Sequence, residues 1–301
     1  MADLAQKSAA ARPTEFHELL ATLHSKNTLL RVYTQNVDGL EQKSGLKAMP
    51  ECGARNEVGA CIPLHGCINQ LRCQSCSSTF SLDPYLSTLR SGSLPPCDRC
   101  ETTRFSRVQL NLRDRQTIPA LKPDIILYGE DHPLAEEIAH IIDMDRRKID
   151  LLLVVGTSMK VDEVQRVIRT FAQAVKSRIA RAKATFLLPN SVYLNMDFPS
   201  QSKWVDIFQF WVKGDCEAFA TMLQTQFNSN HSRNIINCRL DQVACPRLTG
   251  RNGGMMIHLV AALWSKRWLS QIDVLIYVLC TDIFSVAIGN LSCMTKKNWT
   301  V

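Results

Sequence analysis

From Pro13 onward the apolar positions Phe16, Leu19, Leu20 and Leu23 recur at i, i+3, i+4 and i+7, which predicts a helix with one buried stripe. Leu29 to Tyr33 predicts a short buried strand, and the polar, turn-forming Thr34-Gln35-Asn36-Val37-Asp38-Gly39 follows it. Residues 50–122 change character: Cys, Pro, Ser and Gly dominate and helical period is weak. Ile125 to Tyr128 is a further short apolar run. Leu151 to Val155 is five aliphatic residues in succession, as expected of a strand covered on both faces. Gly156-Thr157-Ser158 comes next, and Val164, Val167, Ile168, Phe171, Ala172 and Val175 then mark a helix. Val192 to Leu194 predicts a strand ending at Asn195, Ile207 to Val212 another, and Cys216 to Phe227 a helix. Met1 to Arg12 carries little pattern.

Strands alternating with helices predict a parallel α/β sheet, which binds ligands at the carboxyl ends of its strands. Three polar clusters fall at such ends: Gln35/Asn36/Asp38, Gly156/Thr157/Ser158, and Asn195. Together they point to a nucleotide-like ligand. Residues 228–301 do not continue the alternation. Ile272 to Gly289 is long and apolar, but Asp273 and Asp282 argue against a membrane span. A packed helix or an unstructured extension is the expected form of this tail.

The chain has 301 residues, 46% apolar and 21% charged, which fits a globular protein with a sizeable core and excludes collagen-like or wholly disordered classes. Its net charge of +7 is concentrated in residues 228–301, where eight Lys/Arg face three Asp/Glu. The remainder is nearly neutral, so charge gives no support for a nucleic-acid partner. Twelve cysteines could signal a disulfide framework, but Met1 to Arg12 has no apolar leader core, and the expected setting is intracellular.

Cys73-x-x-Cys76 and Cys97-x-x-Cys100 are two knuckles with twenty residues between them, the spacing of a four-thiolate zinc site. Four protein ligands leave no open position, so the expected ion is structural. Arg72 and Arg99 add positive charge that favours thiolates. The alternative is four independent thiols or two disulfides. The other cysteines, including Cys61, Cys67 and Cys216, show no comparable pairing.

Tyr33-Thr34-Gln35-Asn36-Val37-Asp38-Gly39-Leu40-Glu41, Leu64-His65-Gly66, the paired cysteines, Pro123-Asp124-Ile125-Ile126-Leu127-Tyr128-Gly129-Glu130 and Gly156-Thr157-Ser158 stand in the order found in sirtuins. Over residues 13–227 the chain resembles these NAD-dependent protein deacylases. Arg31-Val32-Tyr33 and Phe208 to Cys216 look most like the fungal, nuclear, histone-directed branch. The resemblance implies a Rossmann-like parallel sheet with a small zinc-binding module at about residues 62–122, and NAD and one structural zinc ion as cofactors. It implies acetylated histone, or another acetyl-lysine protein, as partner and the nucleus as location.

The implied roles fall on individual positions. His65 matches the general base. Gln35, Asn36, Val37 and Asp38 match the nicotinamide ribose and nicotinamide pocket. Gly156, Thr157 and Ser158 match the turn approaching the cofactor, Asn195 the contact to the adenosine ribose, and Cys216 the flank of adenine. Ile126, Tyr128 and Val161 match walls of the acyl-lysine tunnel. The implied activity is NAD-dependent deacetylation that releases nicotinamide and O-acetyl-ADP-ribose.

The chain departs from that pattern in one large respect. Sirtuins open with a strand and a Gly-rich loop that binds the pyrophosphate, yet no glycine precedes Gly39 here. The sequence therefore predicts a catalytic domain over residues 1–227, truncated at its amino terminus, with an incomplete sheet and a tail of unknown structure over 228–301. Asp162-Glu163 follow Val161 where many relatives carry proline, and residues 184–190 add a second apolar run. Two other readings remain: an impaired fragment acting as a protein-binding or regulatory module, and a zinc-module adaptor.

Overall fold

The computed structural model describes residues 1–49, 59–113, 117–127, 129–182, 190–199, 201–228, 242–244 and 274–278. Helix α1 (Ala2–Ala10) precedes α2 (Glu15–Ser25), whose Phe16, Leu19, Leu20 and Leu23 are all buried, as their spacing predicts. The entry of α2 is held by two neighbours. His17 Nδ1 accepts the Thr14 backbone N–H at 3.2 Å, and Glu217 Oε2 accepts that of Phe16 at 3.0 Å. These satisfy amides that the first helical turn leaves without intrahelical partners.

Strand β1 (Leu29–Thr34) leads through Gly39, at φ +71°, into the short helix α3 (Leu40–Lys43). After β2 (Cys61–Pro63) the chain leaves the main sheet for the cysteine module. There β3 (Gly66–Cys73) pairs antiparallel with β4 (Thr79–Ser81) and β5 (Leu121–Ile125). A turn of 3-10 helix (Asp83–Tyr85), α4 (Leu86–Arg90) and α5 (Asp98–Gln109) complete it. α1, unforeseen in the sequence, packs on this module: Ala5 joins Ile68, Leu71, Leu82 and Leu121 in a small core.

The chain then returns through α6 (Ala135–Asp145) to β6 (Leu151–Val155), α7 (Asp162–Ala182), β7 (Ser191–Asn195), α8 (Gln201–Trp204), β8 (Phe210–Lys213) and α9 (Cys216–Asn228). Two layers cover β6, as its continuous aliphatic run predicts. Leu151, Leu153 and Val155 pack with α2 and α9, while Leu152 and Val154 pack with Ile168 and Phe171 of α7.

The tail differs from expectation. Gln242–Ala244 forms β9, and Val274–Val278 forms β10. Both join the main sheet, whose order is β2-β1-β10-β6-β7-β8-β9, parallel throughout except for β9 against β8. The place beside β1 that the sequence predicts to be vacant is thus taken by β10, paired with β1 on one side and β6 on the other. A five-residue Val-Leu-Ile-Tyr-Val segment is β-branched and aromatic enough to favour a strand, where the length of the 272–289 run suggested a helix. Among the described residues no helix is long and apolar enough to cross a membrane. Residues 184–189 of the second apolar run lie outside the described residues, as does Tyr128.

Candidate functional site

A cleft of about 1100 Å³ opens at the carboxyl ends of β1, β6 and β7. It gathers Gln35 from the loop after β1, His65 from the β2–β3 turn, Gly156, Thr157 and Ser158 from the loop after β6, and Asn195 and Cys216 from its far side. Ile126 and Val161 also line it, so nine of the predicted site residues share one cleft. Asn36, Val37 and Asp38 belong to the same loop as Gln35 but not to the described lining.

The β1 loop is tied down by backbone groups. Asn36 N–H donates to Thr34 Oγ1 at 3.1 Å, and Ile68 N–H donates to the Val37 carbonyl at 2.8 Å. Asp38 Oδ1 accepts the Leu40 N–H at 3.1 Å, and its carbonyl accepts the Ser8 hydroxyl at 2.6 Å. Val37 and Asp38 are buried by these contacts. Gln35 differs: its Nε2 is buried with no hydrogen-bond partner. An amide donor left in this state carries a desolvation cost until an acceptor meets it.

His65 is half-buried, and its carbonyl accepts the Ile126 N–H at 3.0 Å. The next residue, Gly66, sits at φ +81°, and a Cβ there would stand 2.1 Å from the Asp124 carbonyl oxygen. Only glycine permits β3 and β5 to approach this closely, and that approach fixes where the His65 ring enters the cleft. Burial lowers the His65 pKa from its ordinary value, a backbone hydrogen bond with Gln35 partly opposing it. The ring is therefore held neutral near pH 7, the state needed to accept a proton.

Gly156 has φ +67°, and its N–H donates to the Leu194 carbonyl at 3.0 Å. Thr157 is buried, its hydroxyl accepting the Met159 N–H at 2.9 Å. The Thr157 carbonyl accepts the Asn195 amide at 2.8 Å and the Tyr193 hydroxyl. Asn195 Nδ2 also donates to the Tyr193 hydroxyl at 2.7 Å, so its amide protons already have protein partners. Burial pushes the Cys216 thiol up to about 12, which makes it a neutral wall group rather than a nucleophile.

The cleft lining also includes Glu130, Asp131, His132 and Glu163, of which Asp131 and His132 stood out in no sequence motif. Beneath the β1 loop, Glu41 of α3 is wholly buried with no well-formed hydrogen bond to either carboxylate oxygen, and burial pushes its carboxyl up to about 7. The Thr34 hydroxyl only partly offsets that rise.

In the cysteine module the Sγ atoms of Cys73, Cys76, Cys97 and Cys100 all lie within 4.8 Å of one another. Cys73 and Cys100 are 3.8 Å apart, and Cys76 and Cys97 3.7 Å. A tetrahedron with metal–sulfur bonds of about 2.3 Å has edges of about 3.8 Å, so the set fits zinc, and none of the four thiols is disulfide-bonded. Arg99 donates to Ser78 Oγ at 2.7 Å. Arg72 grips Asp124 with Nε and Nη2, both at 2.7 Å, and so ties β3 to β5. Cys61 is a buried small hydrophobe, and burial raises its thiol pKa. Cys67 is half-buried in β3.

The Sir2 family pattern matches residues 2–163. The chain is 32% identical over 238 residues to the NAD-dependent histone deacetylase HST3 of Candida albicans, covering 75% of this chain and 47% of that protein. It is 32% identical over 226 residues to HST3 of Saccharomyces cerevisiae, covering 72% and 48%. The chain thus spans about half the length of these curated relatives. Among solved structures, a Sir2 protein with a p53 peptide and NAD+ superposes with a TM-score of 0.52 at 21% identity, covering 73% of this chain and 72% of that one. Family pattern, relatives and cleft agree: the chain belongs to the Sir2 family.

Proposed function

We propose that the chain is an NAD-dependent protein lysine deacetylase, acting on acetylated histone in the nucleus and releasing nicotinamide and O-acetyl-ADP-ribose. The observation that carries this reading is the convergence of Gln35, His65 and the Gly156–Ser158 turn on one cleft from three separate strand ends. The nicotinamide end of the cleft fits such a cofactor, because the orphaned Gln35 Nε2 offers a donor to an amide or hydroxyl oxygen. When bound, the dinucleotide supplies an electrophilic ribose carbon and a leaving nicotinamide.

The neutral His65 ring takes a proton from a ribose hydroxyl while its backbone stays fixed by Ile126 and Gly66. Gly156 lets the backbone approach the cofactor without a side chain between them. Ile126 and Val161 flank the acyl-lysine and limit water access. Asn36 and Asp38 brace the loop that carries Gln35, Asn195 and Cys216 border the adenosine half, and Cys73, Cys76, Cys97 and Cys100 hold a structural zinc.

The experiment measures nicotinamide release from NAD and an acetylated histone peptide, with His65→Ala as the comparison. A loss of at least about 100-fold in the variant is expected for removal of a general base. Equal rates would overturn the reading. They would favour a second one, a protein-binding module without turnover.

A further inference from the structure

Helix α1 is tied to both ends of the segment between Asp38 and α3. Ser8, 1% exposed, donates its hydroxyl to the Asp38 carbonyl at 2.6 Å. Asn69 of β3 closes a triangle: its Nδ2 donates to the Ser8 hydroxyl and to the same carbonyl, both at 3.2 Å. Lys43, in α3, supplies the second tie. The last carbonyls of a helix have no intrahelical donors. Lys43 Nζ donates to those of Ser8 at 2.6 Å and Ala9 at 2.8 Å, and to that of Ala11, just past the helix, at 3.0 Å. An ammonium carries three protons, and three carbonyls meet them here. Its charge also suits the negative end of the helix dipole. α1 is in turn fixed to the cysteine module, where Ala5 shares a core with Val37, Ile68 and Leu71 and Arg90 of α4 reaches Gln6. The buried face of α1 is only Ala2, Ala5 and Ser8, with Met1 and Leu4 partly covered. So little apolar area leaves much of its seat to the polar ties.

We propose that α1 is a clasp on the loop after β1, with Ser8 and Lys43 as positioning residues: they fix the Asp38 backbone among α1, β3 and α3 and so set where Gln35 enters the cleft. Gln35 stands three residues before Asp38, and its Nε2 makes no well-formed hydrogen bond, so its aim depends on the backbone that carries it. Removing the Ser8 hydroxyl leaves the Asp38 carbonyl to Asn69 alone and takes an acceptor from Asn69. Removing the Lys43 ammonium uncaps three carbonyls and unties α3 from α1. Neither side chain is in the described lining of the cleft, so each acts on it only through the loop. The proposal rests on the deacetylase reading for its inhibition readout only.

The test pairs Ser8→Ala with Lys43→Met in one chain and uses Lys43→Arg, which keeps a cationic donor, as the conservative control. Two amides report on the loop: that of Leu40, held by Asp38 Oδ1, and that of Ile68, held by the Val37 carbonyl. Both should exchange at least about fivefold faster in the double variant and near the wild-type rate in Lys43→Arg, while Leu153 in β6 stays protected. The Gln35 side-chain amide resonance should shift or broaden in the double variant alone. In turnover, the inhibition constant of nicotinamide should rise about fivefold or more in the double variant, with peptide KM within about twofold of wild type. A general loss of folding would move the peptide KM and the Leu153 amide as well. Unchanged exchange at Leu40 and Ile68, or an unchanged Gln35 resonance, would overturn the clasp, as would altered exchange with an unaltered nicotinamide constant. Wild-type protein without turnover would sink the deacetylase reading, and the exchange and Gln35 signals would still decide the clasp.

Discussion

Arg31 and Asp145 form a two-pronged ion pair inside the protein, Nε to Oδ2 at 2.5 Å and Nη2 to Oδ1 at 3.1 Å, with side chains 10% and 1% exposed. The Tyr33 hydroxyl donates to the same carboxylate at 2.7 Å, and Arg31 also reaches the Gly59 carbonyl. This joins β1, the end of α6 and the approach to β2. Replacing such a pair with apolar groups can be neutral, but removing one member leaves an uncompensated charge. Asp145→Asn is therefore expected to lower unfolding free energy by about 3–5 kcal/mol in urea titrations. A loss below about 1 kcal/mol would mean that the guanidinium finds other partners.

Glu41 gives stability a pH dependence of definite sign. Its carboxyl titrates near an ordinary 4.5 when unfolded and at about 7 when folded. Below 4.5 both states are protonated and the contribution is complete; as pH rises through 7 it is lost, amounting to about 3 kcal/mol. Glu41→Gln should match the wild type near pH 4 and exceed it by up to about 3 kcal/mol at pH 8. Parallel stability curves for the two proteins across that range would show that the carboxylate is relieved by another group.

Metal removal should act on the module and not on the sheet. One zinc per chain is expected on elemental analysis, and Cys97→Ser should lower that content. A chelator should destabilise β3, β4 and α5, read by amide exchange, while β6 stays protected. Protein that retains full stability after complete chelation would remove the structural role.

Strand β10 is open to a single-residue test. Proline at the centre of an interior strand removes an N–H and fits only at edges or bulges. Ile276→Pro is expected to destabilise the protein by about 3 kcal/mol or more, since residue 276 pairs with both Val32 and Leu153. An unchanged urea midpoint would place the segment outside the sheet.

Features with a local cause were legible in the sequence. The cysteine pairs, the aliphatic run of β6 and the stripe of α2 each fix their own geometry within a few residues. β5 was less so: the sequence shows only an apolar run at 125–128, whereas the strand is Leu121–Ile125 and contains Lys122, Pro123 and Asp124. Its polar residues are tolerated because it is an edge strand and Arg72 neutralises Asp124. α1 escaped notice because its buried face is Ala2, Ala5 and Ser8, too small to make a periodic signal. The residues sharing the cleft were foreseen through the family's motif order, while their hydrogen-bond partners were not.

The position of β10 also bears on how the protein comes to be made. In the sheet, β1 and β6 are separated by a strand that begins at Val274. On the ribosome both would emerge long before the piece that lies between them, each with backbone groups open to a stranger's edge. Such high contact order slows folding and lengthens exposure to aggregation. Those edges of β1 and β6 stay open until Val274–Val278 has been synthesised.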